Sequence, residues 1–220
     1  MKNITLIIPA KHESESLPIV LNKLKKFRFK IIVVLHKSDT QTIKAIKKFK
    51  IKILYQKNSG YGDALINGIN FCKSEFFCIF NADGSFKSSE VLKMKKLLDK
   101  DNLDFVFGSR YQKNSGSYDD TIITYLGNYF FTKLGQIFFN LPITDILYTF
   151  VLGRTSSAKS LKLNQKKFAF CVELPIKAIK NDMRIKSSSA LEFKRIAGKK
   201  KVNEFSDGFE ILYYMIKFFF

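Results

Sequence analysis

The sequence is short of acidic residues, cysteine and long apolar runs, and each shortage closes off a class of protein. Only 19 Asp and Glu stand against 38 Lys and Arg in 220 residues, a formal net charge of +19. A chain so charged favours polyanionic partners: nucleotides, nucleic acid or the anionic face of a membrane. Codon bias is the plainer reading, because Lys, Phe, Ile and Asn are all abundant. Cys72, Cys78 and Cys171 form no CxxC pair, and two of them lie in apolar stretches. That points to a reduced, cytosolic chain and away from a disulfide framework. No segment reaches the roughly 20 apolar residues that span a bilayer. The early apolar run "ITLIIPA" is followed by a charged "KHE" where a signal peptide would have its cleavage site. The chain is expected to be soluble or peripheral. Repeats and low-complexity linkers are missing too, and no nucleic-acid-binding motif accompanies the charge, so no nucleic-acid partner is expected.

What is present is an alternation. "ITLIIP" (4–9), "KIIVVL" (30–35), "IKILY" (51–55), "FFCIF" (76–80) and "DFVFGS" (104–109) read as strands, with helical spacing over 15–27, 39–49, 62–72 and 88–99. Strands alternating with helices of about 10–15 residues imply βαβ units and a mostly parallel sheet flanked by helices. Ligands of such sheets collect beyond the carboxyl ends of the strands. "PAKHESE", "HKSDT", "NADGS" and "GSRYQKNSG" all fall there. After residue 110 the pattern changes to a polar loop (113–120), an amphipathic helix (121–139), a helix near 170–181 and a strand at "SALEFKR" (189–195). The basic run "GKKK" (198–201) and the apolar "FEILYYMIKFFF" then end the sequence. We read residues 1–195 as one α/β domain and 196–220 as a basic, aromatic helical extension.

Three stretches carry chemistry. In "PAKHESE" the turn and Glu13 can hold a ribose and base, or form a plain βα loop with a surface glutamate. "NSGYGDALINGI" sets Gly60, Gly62 and Gly68 at a helix start, where close backbone approach and the helix terminus favour an anion. Its spacing is not the GxGxxG dinucleotide fingerprint. "NADGSF" delivers Asp83 to a strand end, where a carboxylate can ligate Mg²⁺ or Mn²⁺ bridging two phosphates. An Asp-Gly turn without metal is the alternative there.

Taken together and in order, these stretches resemble the family 2 glycosyltransferases with the nucleotide-sugar-binding GT-A fold. More narrowly, the chain resembles the polyprenyl-phosphate sugar transferases of the dolichol-phosphate mannose synthase type. Pro9 to Glu13 match the family's "PAYNE"-like turn, Gly60 to Ala64 with Gly68 its "GxGxA…G", and Asn81 to Ser85 its "DADGS". "GSRY" stands unchanged at Gly108 to Tyr111, "DILYTFVLGR" resembles "D-x-T-S-G-F-R", and the segments around Glu173 and Arg195 also correspond. The resemblance implies donor contacts from Pro9, Ala10, Glu13, His36, Gly60, Gly62, Ala82 and Asp83. It implies a Mg²⁺ or Mn²⁺ on Asp83 and Asn81, and catalytic roles for Asp83, Arg110 and Arg195. An acceptor phosphate would meet Arg110, Arg195, Lys199 and Lys201.

The chain departs from the pattern in three places. Asn81 replaces a metal carboxylate, Leu35-His36 replace a "DD" pair, and the arginine of "SGFR" falls on Val151, with Arg154 nearby as a substitute. The implied reaction is an inverting sugar transfer from a nucleoside-diphosphate sugar to a polyprenyl phosphate, on the cytoplasmic face of a membrane. A sugar-hydroxyl acceptor would need a base, for which Asp145 is the candidate. A non-catalytic nucleotide-sugar-binding domain is the third reading. The final dozen residues are expected to lie in the membrane interface, and helix 121–139 to cover the sheet.

Overall fold

The computed structural model describes residues 3–198 and 203–220. In chain order the elements are β1 (Ile4–Pro9), α1 (Ser16–Leu24), β2 (Lys30–Leu35), α2 (Thr40–Ile46), β3 (Lys52–Tyr55), α3 (Tyr61–Phe71), β4 (Phe76–Ile79), α4 (Ser88–Lys100) and β5 (Phe105–Ser109). There follow β6 (Gly116–Ser117), α5 (Ile122–Phe139), β7 (Val151–Arg154), α6 (Thr155–Ser160), α7 (Phe170–Lys180), β8 (Ile185–Ser189), β9 (Leu191–Glu192) and α8 (Glu204–Phe219).

Seven strands form one sheet in the order β3-β2-β1-β4-β7-β5-β8, and β6 pairs with β9 beside it. All pairs in the main sheet are parallel except those of β7, which runs antiparallel between β4 and β5. The expected mostly parallel α/β sheet is therefore present. Its central strands read as unbroken apolar runs because both faces are covered. In β1, Ile7 faces a core layer under α3, α5 and α7, while Leu6 and Ile8 face the opposite layer under α1, α2 and α4. Phe77, Phe105 and Phe107 are wholly or almost wholly buried in the first layer. Truncating any one of them to Ala costs about 3–5 kcal/mol.

Two differences from the sequence reading have plain causes. The strand expected over 189–195 lies earlier, as β8, with only a two-residue bridge at β9. At the sheet edge "IKSSS" needs only Ile185 and Ser188 to turn inward, so its pattern is weak. Helix 122–139 does cover the core with Phe131, Phe139 and Gly135, but large apolar side chains also stand exposed along it, among them Ile122, Leu126, Phe130 and Phe138. Helix α8 packs on α5 and α7 through Ile211 and Met215 and leaves Phe205, Phe209, Tyr213, Ile216 and Phe219 outside.

Candidate active site

The carboxyl ends of β1, β4 and β5, the start of α3, the entry to β7 and the inner faces of α5 and α8 enclose a cavity of about 820 Å³. At the end of β4 the chain turns through Gly84, whose φ of +85° lies in the left-handed region that favours glycine. The turn is tied by Asp83, whose Oδ1 accepts from the Ser85 amide at 3.0 Å and the Ser85 hydroxyl at 2.7 Å. The Asn81 amide donates to the same hydroxyl at 3.3 Å. Asp83 Oδ2 points instead to Arg195, whose Nη2 lies 3.8 Å away and 3.2 Å from Asp119 Oδ2.

Arg110 leaves the end of β5 and is clamped. Its Nε and Nη2 donate to the two oxygens of Asp145 at 2.8 and 3.0 Å, and its Nη1 donates to Glu192 at 3.1 Å. The guanidinium lies 4.6 Å from the centre of the Tyr148 ring. Burial works against its charge, yet the Asp145 and Glu192 carboxylates hold its pKa well above the ordinary arginine value. The cation is permanent, but most of its fork is engaged. Tyr61 and Thr149, both on the cavity wall, share a hydrogen bond of 2.6 Å. Cys171 also lines the wall, but burial pushes its thiol up to about 12, so it supplies no thiolate at neutral pH.

Of the residues picked from the sequence, Pro9, Ala10, Glu13, Gly60, Asn81, Ala82, Asp83, Arg110 and Arg195 all border this one cavity. Gly60 has φ +126°, and a Cβ there would lie 2.2 Å from the Lys166 carbonyl oxygen, so no other residue fits its turn. Several others sit elsewhere. Gly62 packs against the backbone of Gln165 and Lys167 instead of facing the cavity. His36 is exposed and bonds to Ser38 at 2.7 Å, outside the lining. Asp145 is 0% exposed and fully engaged by Arg110 and Asn128, which makes it a counter-ion and not a base open to an acceptor. Arg154 pairs across from Phe76 at the amino end of β4 and donates to the Leu103 carbonyl. It therefore lies at the wrong end of the sheet to replace the missing arginine. Lys199 and Lys201 lie outside the described residues.

Sequence reasoning missed Gln56, Tyr61, Asp119, Asp120, Tyr148, Thr149 and Glu192, together with the contribution of α8 to the wall. The paired acids of "SYDD" were a visible signal; the tyrosines carried none, since their role depends on which segments meet.

The donor set suits a hard cation. Asp83 offers a carboxylate and Asn81 an amide oxygen, and Mg²⁺ or Mn²⁺ typically take one or two such protein groups plus water and substrate phosphates. Among the described residues no group of three or more His, Cys, Asp or Glu is arranged for a metal. A bound ion would therefore lean on these two residues and on the phosphates of a ligand.

Comparison with known proteins agrees with this geometry. The family model for glycosyl transferase family 2 matches residues 5–162. An uncharacterised glycosyltransferase of Mycobacterium tuberculosis (strain ATCC 25618 / H37Rv) is 24% identical over 200 residues, covering 91% of this chain and 89% of the relative. The UDP-N-acetylglucosamine–dolichyl-phosphate N-acetylglucosaminyltransferase of Methanococcus voltae is 28% identical over 222 residues, 84% of this chain and 83% of the relative. Among solved structures, glucosyl-3-phosphoglycerate synthase from Mycobacterium tuberculosis, in complex with Mn²⁺, UDP and glucosyl-3-phosphoglycerate, superposes with a TM-score of 0.77 at 12% identity. That match covers 99% of this chain and 80% of the synthase. With its GT-A sheet and a family match over most of its length, the chain belongs to glycosyl transferase family 2.

Proposed function

We propose that this enzyme moves a sugar from a nucleoside-diphosphate sugar to a polyprenyl phosphate, with inversion, at a membrane surface. The observation that carries the reading is the two-part character of one cavity. Its strand-end part holds Asp83, Arg110 and Arg195. Its helix side is lined by Ile123, Leu126 and Phe131 of α5 and by Phe205 and Ile211 of α8, with Thr124, Asn128, Glu204 and Asp207 among them. A phosphate carrying a long apolar chain matches both parts, whereas a small polar acceptor such as phosphoglycerate has no use for the second. The dolichyl-phosphate transferase relative supports the same acceptor class.

The roles follow from this placement. The turn after β1, with Pro9, Ala10 and Glu13, and the Gly60 turn receive the nucleotide. Asp83 and Asn81 would hold Mg²⁺ or Mn²⁺, which when bound neutralises charge on the leaving diphosphate. Arg195 borders the cavity and would meet phosphate oxygens, Arg110 holds a cation compensated by Asp145 and Glu192 at the same wall, and the family resemblance alone adds Lys199 and Lys201. The acceptor phosphate is already an anion at neutral pH, so the reaction asks for no general base. The burial of Asp145 is consistent with that. It removes the main support for a sugar-hydroxyl acceptor.

The outer faces of α5 and α8 give the lipid reading its second support. Ile122 is 79% exposed and Phe209 74%, and large apolar side chains continue along both helices. Among the described residues no helix is long and apolar enough to cross a membrane. Shallow, reversible insertion beside basic residues is the arrangement these helices favour. We keep residues 1–195 as the transferase body and 196–220 as an extension that serves both the cavity wall and the membrane. Transfer assays with several nucleotide sugars and Mn²⁺, with polyprenyl phosphate or phosphoglycerate as acceptor, test the reading. Product on the lipid is expected; product on phosphoglycerate alone would overturn it.

A further inference from the structure

We infer that Arg195 is the resident counter-charge of Asp83, yielding its place when a divalent cation binds, and that this exchange couples cation binding to donor binding. The inference rests on the reading of Asp83 as a metal ligand, and it concerns how the site fills.

The two oxygens of Asp83 are not equivalent. Oδ1 is occupied by the Ser85 amide and hydroxyl, so Oδ2 is the oxygen left for a cation. That oxygen faces Arg195 Nη2 at 3.8 Å. A guanidinium and a divalent ion cannot both stand within about 4 Å of one carboxylate oxygen without strong mutual repulsion. Arg195 is therefore a competitor for the ion.

The backbone around Arg195 is fastened to the same turn. The Phe193 amide donates to the Ser85 carbonyl at 2.9 Å, and the Ile196 amide donates to the Asp83 carbonyl at 2.8 Å. Ile196 sits on Gly84 so closely that a Cβ there would lie 2.4 Å from its Cδ1. When Arg195 turns from Asp83, its backbone stays and only the side chain swings, pivoting on or releasing its 3.2 Å hydrogen bond to Asp119. That side chain is partly exposed and borders the cavity. Its natural new partner is phosphate, which a planar guanidinium binds through two parallel hydrogen bonds.

The energetic consequence is a linkage. Without a diphosphate, Arg195 stays between Asp119, to which it donates at 3.2 Å, and Asp83 at 3.8 Å, and its charge weakens the cation site. With a diphosphate present, the guanidinium is drawn off and the cation gains Asp83 at full charge. By reciprocity the cation strengthens diphosphate binding by the same factor. Direct ligation of the ion by phosphate adds to this effect but does not depend on Arg195.

Mn²⁺ binding to the full chain, followed by electron paramagnetic resonance without nucleotide, separates the two contributions. Arg195→Gln is expected to bind Mn²⁺ about tenfold more tightly than the wild type, as loss of a competing charge at this partly screened distance implies. Arg195→Lys should stay near the wild type, because the charge remains. UDP should raise Mn²⁺ affinity in the wild type by a larger factor than in Arg195→Gln. Arg195→Met, also uncharged, serves as a second variant should the Gln chain fold poorly. Equal or weaker Mn²⁺ binding in the uncharged variants, or no binding in any chain, would overturn the inference. A failure of sugar transfer with tightened Mn²⁺ binding would instead overturn the proposed acceptor and leave this exchange standing.

Discussion

Arg110 and Asp145 lie 35 residues apart and meet in a two-point ion pair whose carboxylate is wholly buried. Asp145 also accepts from the Asn128 amide and from the backbone amide of Arg110, so the pair joins the end of β5 to α5 and to the segment entering β7. Removing one partner leaves an uncompensated charge out of water, which costs far more than an exposed pair is worth. Arg110→Ala is expected to lower stability by about 3–5 kcal/mol. Urea unfolding checks this, and a loss under about 1 kcal/mol, the scale of surface pairs, would show that the clamp is not needed.

The cation site makes a graded prediction. Asp83→Ala should abolish Mn²⁺-dependent UDP binding in a calorimeter while leaving the fold intact, since among the described residues the side chain is tied within its own turn and to Arg195. Asn81→Asp restores a full charge beside it and should tighten Mn²⁺ in the presence of UDP. Unchanged affinity in both variants would remove this turn from the cation site.

Glu90 predicts a pH effect of definite sign. Burial raises its carboxyl pKa, opposed by the Leu191 amide that donates to Oε1 and by nearby lysines, while Oε2 is buried with no hydrogen-bond partner among the described residues. A carboxyl whose folded value is raised favours folding most when protonated, and that contribution is lost as pH rises through the raised value. Glu90→Gln keeps an acceptor for Leu191 and carries no charge. Its stability should exceed that of the wild type at pH 7, and the gap should close as pH falls below the ordinary glutamate value of about 4.3. Denaturation curves at pH 7 and pH 4 decide it; a gap that widens in acid would contradict the assignment.

The exposed helix faces predict lipid binding. Phe209→Glu and Ile122→Glu alter side chains that contribute little to the core, so both variants should fold normally. Each should cosediment less with vesicles containing anionic lipid, and high salt should weaken the wild type. Equal sedimentation of the double variant would assign those faces to some other partner.

Much of the sheet was legible because its strands are covered on both faces, which leaves runs such as "TLIIP" and "FFCIF" with few polar interruptions. Strand β7 was not, since four residues of "VLGR" carry too little pattern, and their antiparallel course depends on the long excursion through α5. At the site, residues that reach the cavity from their own strand end were visible: Asp83, Arg110 and Glu13. Those whose position depends on distant segments meeting were misjudged. Asp145 reads as an available acid until Arg110 is seen to close over it. Arg154 reads as a neighbour of the site until the antiparallel register carries it to the other end of the sheet. Helix α8 shows an apolar face in sequence, but two burial targets, the core and the cavity wall, compete for it.

The antiparallel β7 strand is a seam. On one side β3-β2-β1-β4 keep an uninterrupted parallel ladder, and on the other β5 and β8 keep theirs; β7 bonds to each flank without continuing either. Pro9, Glu13, Gly60 and Asp83 hang from the first block, while Arg110 and Glu192 hang from the second. Each block sets its own register, and the chain that leaves the second block through β9 returns to the first through the Phe193–Ser85 and Ile196–Asp83 backbone bonds, so the two walls of the cavity are stitched together across the seam.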